Sequence, residues 1–239
     1  MRAIILGDGL LGGYLRDKSQ WDSISRKKDG IDFSNLDSYS SRLEKYDTVV
    51  NCIANTNTYS KDKNSHWRVN YEGVASLVDF CNNKGKKIIH ISTDYLYSFS
   101  EEDATENDVP VHSRNWYGYT KLLGEGYVLL RSKNYLIIRA TQKKKPFPFR
   151  KAYINQIGNF DYVDTIGDLI ISLIEKDAVG IYNVGTKKKS MFELAKITNT
   201  EVEPTEELFD PTTPTNTSMN LSKMDLFLGG SPEDTINFE

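Results

Sequence analysis

Cysteine and histidine are scarce in this 239-residue chain, which holds two of the first and three of the second. Cys52 and Cys81 lie in or beside apolar segments with no C-x-x-C or Cys/His ligand spacing, so both read as reduced core thiols. His66, His90 and His112 show no metal-ligand spacing, and no metal site is expected. His90 falls inside an apolar run and reads as a satisfied core residue. No run approaches the ~20 apolar residues that span a bilayer, and no signal-peptide pattern precedes the first apolar segment. A soluble, cytoplasmic protein without a membrane partner is therefore expected. Charge of one sign is not in excess: the net charge is −3 and the pI ≈ 5.7, which gives no general electrostatic reason to expect nucleic-acid binding. Internal repeats, long disordered linkers and the G-x-x-x-x-G-K-[ST] loop are also missing, and the last absence disfavours a P-loop nucleotidase.

What the chain does have is alternation. Apolar runs predict strands at Ala3 to Leu6, Thr48 to Ile53, Lys87 to Ser92, Tyr135 to Ala140 and Gly180 to Val184, and a second strand is expected to end around Ser23 to Arg26. Helical patterns fall between them, through Leu10, Leu11, Tyr14 and Leu15 and near Ser38 to Lys45, His66 to Asn82, Tyr117 to Arg131 and Val163 to Glu175. Strands alternating with helices predict an α/β fold with a doubly wound, mainly parallel sheet covered on both faces. Ligands in such a fold bind at the carboxyl ends of the strands. Thr141 to Phe160, rich in lysine, proline and aromatics, reads as a loop-rich insertion near the site. The residues from Glu201 are acidic, then rich in threonine and proline, with one short apolar segment at Met224 to Leu228.

Three motifs carry chemistry. Gly7-Asp8-Gly9-Leu10-Leu11-Gly12 joins the first strand to the first helix. Its glycines suit a tight turn, close approach of backbone to a pyrophosphate and close packing of helix on strand, as in a dinucleotide site. About twenty residues on, where a carboxylate would grip the ribose 2′-hydroxyl of NAD, stand Ser25, Arg26, Lys27 and Lys28. Cations and a hydroxyl suit a 2′-phosphate, which favours NADP(H) over NAD(H), while Asp29 keeps NAD open. Ile91 to Tyr95 reads I-S-T-D-Y at a strand end, and Tyr117 to Lys121 reads Y-G-Y-T-K. Tyr117 and Lys121, at i and i+4, share a helix face. The ammonium is expected to lower the phenol from its ordinary ~10 and make proton exchange with a carbonyl or alcohol feasible.

In order along the chain, these residues resemble the extended short-chain dehydrogenase/reductases, and among them the dTDP-4-dehydrorhamnose reductase group. Asp32-Phe33-Ser34-Asn35 is similar to the segment that reaches the cofactor's adenine, and Val50-Asn51-Cys52-Ile53-Ala54 to the strand motif that lines the cofactor. Val69 to Gly73, Ser92 to Tyr95 and Asn115 to Lys121 resemble a following helix and the catalytic elements. Phe160 to Asp164, Gly180 to Gly185 and Pro214 to Asn220 resemble later landmarks. The resemblance implies a Rossmann-type dinucleotide-binding domain over residues 1–140 and a reduced substrate-binding region over 141–239 that partly returns to the core. It implies Tyr117 as acid/base, Lys121 as the residue that lowers its pKa and binds the nicotinamide ribose, and Thr93 as the group that orients a substrate carbonyl. Asp94, Tyr95 and Gln142 are the expected substrate contacts.

Two departures qualify the substrate. Gln142 stands where the group places an aromatic against the sugar, and the region Lys143 to Gly158 is shorter than in the group. Lys143, Lys144, Lys145, Arg150 and Lys151 read as a solvated run in preference to a nucleotide-diphosphate contact. The resemblance implies NADP(H)-dependent reduction of a 4-keto group on a nucleotide-activated deoxysugar. An NAD-dependent nucleotide-sugar epimerase stays open, as does a non-catalytic regulatory subunit like that of methionine adenosyltransferase. Tyr95 after Asp94, in place of the glutamate common in dehydratases, argues against that branch. Helices flanking such sheets often build dimers, so a homodimer is kept as an expectation.

Overall fold

β1 (Ala3–Leu6) is buried along its whole length and opens through a glycine turn into α1 (Leu10–Ser19). Burial on both faces accounts for its unbroken Ala-Ile-Ile-Leu, since a central parallel strand has no solvent face to alternate with. β2 (Asp22–Ile24), two short helices, α2 (Arg26–Asp29) and α3 (Ser40–Leu43), and β3 (Thr48–Asn51) follow. The next crossover is one helical stretch: α4 (Lys63–Trp67) passes through a π turn at Arg68–Glu72 into α5 (Gly73–Asn83). β4 (Lys87–Ile91) runs into a 3-10 turn, Asp94–Tyr97, and then α6 (Trp116–Arg131) and β5 (Tyr135–Arg139). Short strands β6 (Gln142–Lys143), β7 (Lys151–Tyr153), β8 (Ile157–Gly158) and β9 (Asp161–Tyr162) leave the main sheet. α7 (Val163–Glu175) and β10 (Gly180–Asn183) return to it, followed by β11 (Lys189–Ser190), α8 (Met191–Lys196), β12 (Glu203–Thr205) and α9 (Ser222–Leu228). The computed structural model describes residues 1–208 and 210–230; Phe209 and the end of the region expected to reach Glu239 lie outside the described residues.

Six strands pair in the order β2-β1-β3-β4-β5-β10, all parallel. Alternate side chains of each strand enter opposite layers. Ile5, Val50, Ile89 and Ile138 meet Leu11 and Leu15 of α1 and Ile166, Ile170 and Ile174 of α7. Ile4, Leu6, Val49, Ile88 and Ile137 meet Val74, Leu77 and Val78 of α5 and Val128 of α6. This is the doubly wound, Rossmann-type α/β sheet expected from the alternation. The chain leaves β1 toward β2 on one side and later places β3 on the other, so the order reverses at β1/β3 and the ligand crevice lies there.

The region expected to be loop-rich is more ordered than its composition implied. β6 pairs with β9, β7 with β12 and β8 with β11. Phe147, Ala152, Phe160 and Tyr162 bury against Met191, Leu194, Ala195 and Val202 in a small separate core. Strands of two or three residues are too short to show a period of two, and their partners lie far along the chain. Among the described residues no helix is long and apolar enough to cross a membrane.

Candidate active site

Each glycine of the first turn answers a different steric demand. Gly7 has φ +102°, and a Cβ there would lie 2.9 Å from Ile53 Cγ1. A Cβ on Gly12 would lie 2.3 Å from the Gly7 carbonyl oxygen, so α1 can approach the turn only with glycine at that place. Gly9 has nothing within 4 Å of its Cβ position and leaves the backbone open to the crevice at the start of α1. Such an approach is what a pyrophosphate needs at a helix N-terminus. Leu11 is buried and holds α1 to the sheet, while Leu10 is exposed. Cys52, Ile53 and Ala54 follow β3, half-buried, with Cys52 and Ile53 directly behind the glycines. Burial pushes the Cys52 thiol up to about 12.

Beyond β2, Ser25 caps α2 by accepting the Lys28 N–H at 3.1 Å, and Arg26 and Lys27 are exposed. Asp29 is turned away from a ligand. It accepts the Ser25 N–H at 2.9 Å and pairs with Arg42 at 2.9 Å. Asp32 is exposed, bonded to Ser34 and 3.6 Å from Arg68. Phe33, expected to reach a cofactor, is 5% exposed and packs on Tyr39. A Cβ on Gly73 would meet its ring at 2.7 Å. Its side chain is core; only the backbone around it can face the crevice.

Thr93 leaves the end of β4 and caps the 3-10 turn, accepting the Tyr95 N–H at 3.2 Å. Asn115 caps α6 by accepting the Gly118 N–H at 2.8 Å, which sets Tyr117 in the first helical turn and Lys121 one turn on. The Thr93 hydroxyl lies close enough to the Tyr117 phenol to act on its titration. Burial pushes the Tyr117 phenol up to about 12; the Thr93 hydroxyl opposes this and the charge of Asp94 adds to it. The expected lowering of Tyr117 by Lys121 is not found. Lys121, 1% exposed, donates to the Ile91 carbonyl at 2.6 Å and lies 3.5 Å from His90 Nε2. Burial lowers it to about 8, against the charges of Glu125 and Cys52. The arrangement therefore holds a neutral phenol, a proton donor at neutral pH, beside a hydroxyl that can share a carbonyl oxygen with it.

A cleft of about 730 Å³ reaches this neighbourhood through Tyr95. Tyr95 lines it with its ring edge-on to Tyr117 at 5.5 Å, and Tyr59, Lys143, Phe147, Phe149 and Tyr153 form further walls. Two expected substrate contacts are placed elsewhere. Asp94 is 1% exposed and faces inward, its carboxylate accepting from Thr93 at 3.3 Å, Thr217 at 2.8 Å and Thr141. Gln142 is half-buried in β6 and does not line the cleft; its neighbour Lys143 does, because successive strand side chains face opposite ways. Lys143 is also unlike the rest of the basic run. Lys145 pairs with Asp164 and Arg150 with Glu203 at the surface. Burial lowers the pKa of Lys143, with Asp94 opposing.

Supporting residues escaped the motif reading. Glu125 of α6 and Arg139 of β5 pair at 2.5 Å, 0% and 2% exposed at their side chains, and Ser92 donates to Glu125 at 2.5 Å. Arg139 continues to Tyr97, which donates to Asn183 at 2.9 Å. Asn70, in the π turn, accepts from Asn55 N–H at 2.8 Å and donates to Thr120 Oγ1 at 3.1 Å, tying the loop after β3 to α6. Charged residues inside otherwise apolar runs were the available signal for Glu125 and Arg139. Asn70 lay within a segment read only for its resemblance. Among the described residues no group of three or more His, Cys, Asp or Glu could hold a metal ion.

With this geometry in view, comparison with known proteins is informative. A family model described as RmlD substrate binding domain matches residues 1–142. A dTDP-4-dehydrorhamnose reductase of Aggregatibacter actinomycetemcomitans is 24% identical over 204 residues, covering 75% of this chain and 69% of the relative. The crystal structure of a hypothetical dTDP-4-dehydrorhamnose reductase from Sulfolobus tokodaii superposes with TM-score 0.81 at 24% identity, covering 97% of this chain and 96% of that one. That of a dTDP-4-dehydrorhamnose reductase from Bacillus anthracis in complex with NADP superposes with TM-score 0.79 at 23% identity, covering 96% and 92%. The family match spans more than half of the sequence and contains Thr93, Tyr117, Lys121 and the glycine turn, and so the chain belongs to the RmlD substrate binding domain family, within the extended short-chain dehydrogenase/reductase type of NAD(P)-dependent oxidoreductase.

Proposed function

We propose that this protein reduces a 4-keto group on a nucleotide-activated deoxysugar, with NADP(H) as the favoured cofactor. The observation that carries the reading is the nearness of the Thr93 hydroxyl to the Tyr117 phenol, with Tyr95 edge-on to Tyr117 and in the wall of the cleft. When bound, a nicotinamide dinucleotide supplies the hydride. Thr93 orients the substrate carbonyl by donating to its oxygen, and Tyr117, neutral at pH 7, gives that oxygen its proton as charge develops there. Lys121 stabilises the resulting phenolate and, in this reading, binds the nicotinamide ribose. Tyr95 shapes the pocket beside the carbonyl. Lys143 and Lys151 on the cleft wall can meet a diphosphate, with Phe147, Phe149 and Tyr153 available to a base.

Support for NADP(H) comes from the end of β2. Asp29 is the first carboxylate after β2, and both its oxygens are engaged by Ser25 and Arg42. Arg26 and Lys27 stand exposed beside it, suited to a 2′-phosphate. Asp32 and the backbone at Phe33 border the adenine end in this reading.

Quenching of tryptophan fluorescence by NADPH and NADH, followed by NADPH oxidation at 340 nm on a panel of nucleotide 4-keto-deoxysugars, tests it. Tighter NADPH binding with consumption on one substrate is the expected result. Tyr117→Phe should then lower turnover by roughly 10²–10⁴-fold, the range of general acid catalysis, with cofactor affinity preserved. Binding without consumption on any substrate would overturn the reductase reading in favour of an epimerase or a non-catalytic subunit.

A further inference from the structure

Two buried side chains behind Lys121, Asn51 and His90, form a chain whose hydrogen-bond polarity is fixed from one end. The Ile53 backbone N–H can only donate, and it donates to Asn51 Oδ1 at 3.1 Å. The Asn51 amide must then turn its Nδ2 donor outward, and that nitrogen lies 3.3 Å from His90 Nδ1. A donor facing Nδ1 requires Nδ1 to accept, so the neutral imidazole carries its proton on Nε2. That N–H faces Lys121 Nζ at 3.5 Å, while the lysine donates its own hydrogen to the Ile91 carbonyl at 2.6 Å. Asn51 and His90 are 0% exposed and Lys121 1%, so water cannot relieve the arrangement.

We propose that Asn51 and His90 form a tautomer lock behind Lys121, and that His90 is a positioning residue presenting a fixed N–H donor to the lysine nitrogen. This rests on the proposed function only where Lys121 serves turnover. An ammonium has three donors and no acceptor, so a fixed donor opposite it disfavours the charged form, whereas the neutral amine has a lone pair to receive it. The groups facing Lys121 are His90 from β4, Cys52 after β3, and Glu125 on its own helix, the last already paired with Arg139. Glu125 and Cys52 favour the ammonium; burial and the locked imidazole act against it. His90 itself titrates well below its ordinary range, through burial and then the charge of Lys121, and so remains neutral. The lock also connects two parts of the site, because its fixed end is the Ile53 N–H on the wall of the cofactor crevice.

The test is ¹⁵N-histidine NMR on the full chain, with His90 assigned by loss of its signals in His90→Gln. The expected spectrum shows a neutral ring protonated on Nε2 from pH 6 to 9. A ring protonated on Nδ1, or on both nitrogens, would overturn the proposal, and neither readout needs a substrate. Asn51→Asp supplies the second arm: a carboxylate opposite Nδ1 should draw the proton there and turn the Nε2 lone pair toward Lys121. Any turnover should then keep its alkaline limb about one pH unit higher than the wild type. A limb that stays in place while the tautomer moves would show that His90 does not act on Lys121. If no substrate on the panel is consumed, the spectrum still decides the lock, and the functional reading fails separately.

Discussion

Lys121 titrates near 8 when folded against an ordinary 10.5, because burial disfavours its charge. Between those values the unfolded chain holds a proton that the folded chain has released, so stability rises with pH through the window and is penalised below it. At about 1.4 kcal/mol per pKa unit, the penalty at pH 7 is on the order of 3 kcal/mol. Lys121→Met removes it and leaves the Ile91 carbonyl without its donor, which costs about 1 kcal/mol. Urea denaturation should therefore find Lys121→Met more stable by about 2 kcal/mol at pH 7, with the advantage gone by pH 10.5. A difference independent of pH would mean that Lys121 is not perturbed. Thr93, Tyr117 and Lys121 could be singled out in the sequence because they stand on one strand end and one helix face, and the structure puts them there. Asp94 was misplaced for the opposite reason: its partners Thr141 and Thr217 stand 47 and 123 residues away, and nothing local says that a carboxylate after a strand is enclosed.

α6 carries Tyr117 and Lys121, and its placement depends on one close contact. A Cβ on Gly124 would lie 2.2 Å from the Asn70 carbonyl oxygen, so the helix can touch the π turn only with glycine there. Gly126, on the same helix, has nothing within 4 Å of its Cβ position. Gly124→Ala should cost roughly 1–3 kcal/mol by forcing the helix outward, and should reduce turnover by shifting both functional side chains. Gly126→Ala should stabilise by about 0.5–1 kcal/mol through helix propensity alone. Chemical denaturation of both variants checks the pair, and equal effects would remove the argument for close packing. Five strands of the sheet were legible as apolar runs, since central parallel strands advertise burial on both faces, whereas the edge strand β2 reads Asp-Ser-Ile and offers no such run. The π turn was not, because His66 to Asn82 keeps the amphipathic spacing of an ordinary helix on either side of it. α8 was legible but unread: Ser190 and Glu193 make a reciprocal capping box, the S-x-x-E pattern before an apolar run.

Across the molecule, the site closes only when a late segment of chain returns to it. Residues 216–220 are stitched in from three sides: Thr217 N–H donates to Ile157 at 3.0 Å, Met219 N–H to Asn159 Oδ1 at 2.7 Å, and Asn183 Nδ2 to Asn220 at 3.1 Å. Thr217 Oγ1 then reaches the carboxylate of Asp94, next to Thr93. Asp94 is held above its ordinary range by burial, with the hydrogen bonds of Thr141 and Thr217, the charge of Lys143 and the Thr93 bond opposing. A carboxyl whose folded pKa is raised binds its proton more readily when folded, so stability falls as pH rises through the folded value. Thr217→Val keeps the shape and removes one of the opposing donors, which raises Asp94 further. The variant should lose about 1–3 kcal/mol at pH 7, because one donor to the carboxyl group is gone. The deficit should narrow toward pH 4, as Asp94 takes up its proton and the lost bond to the charge counts for less. Denaturation at the two pH values measures this directly. A deficit equal at both would assign Thr217 to packing alone, whereas a narrowing one ties the C-terminal segment electrostatically to the residue beside Thr93 and makes correct closure of the whole chain a condition for a working site.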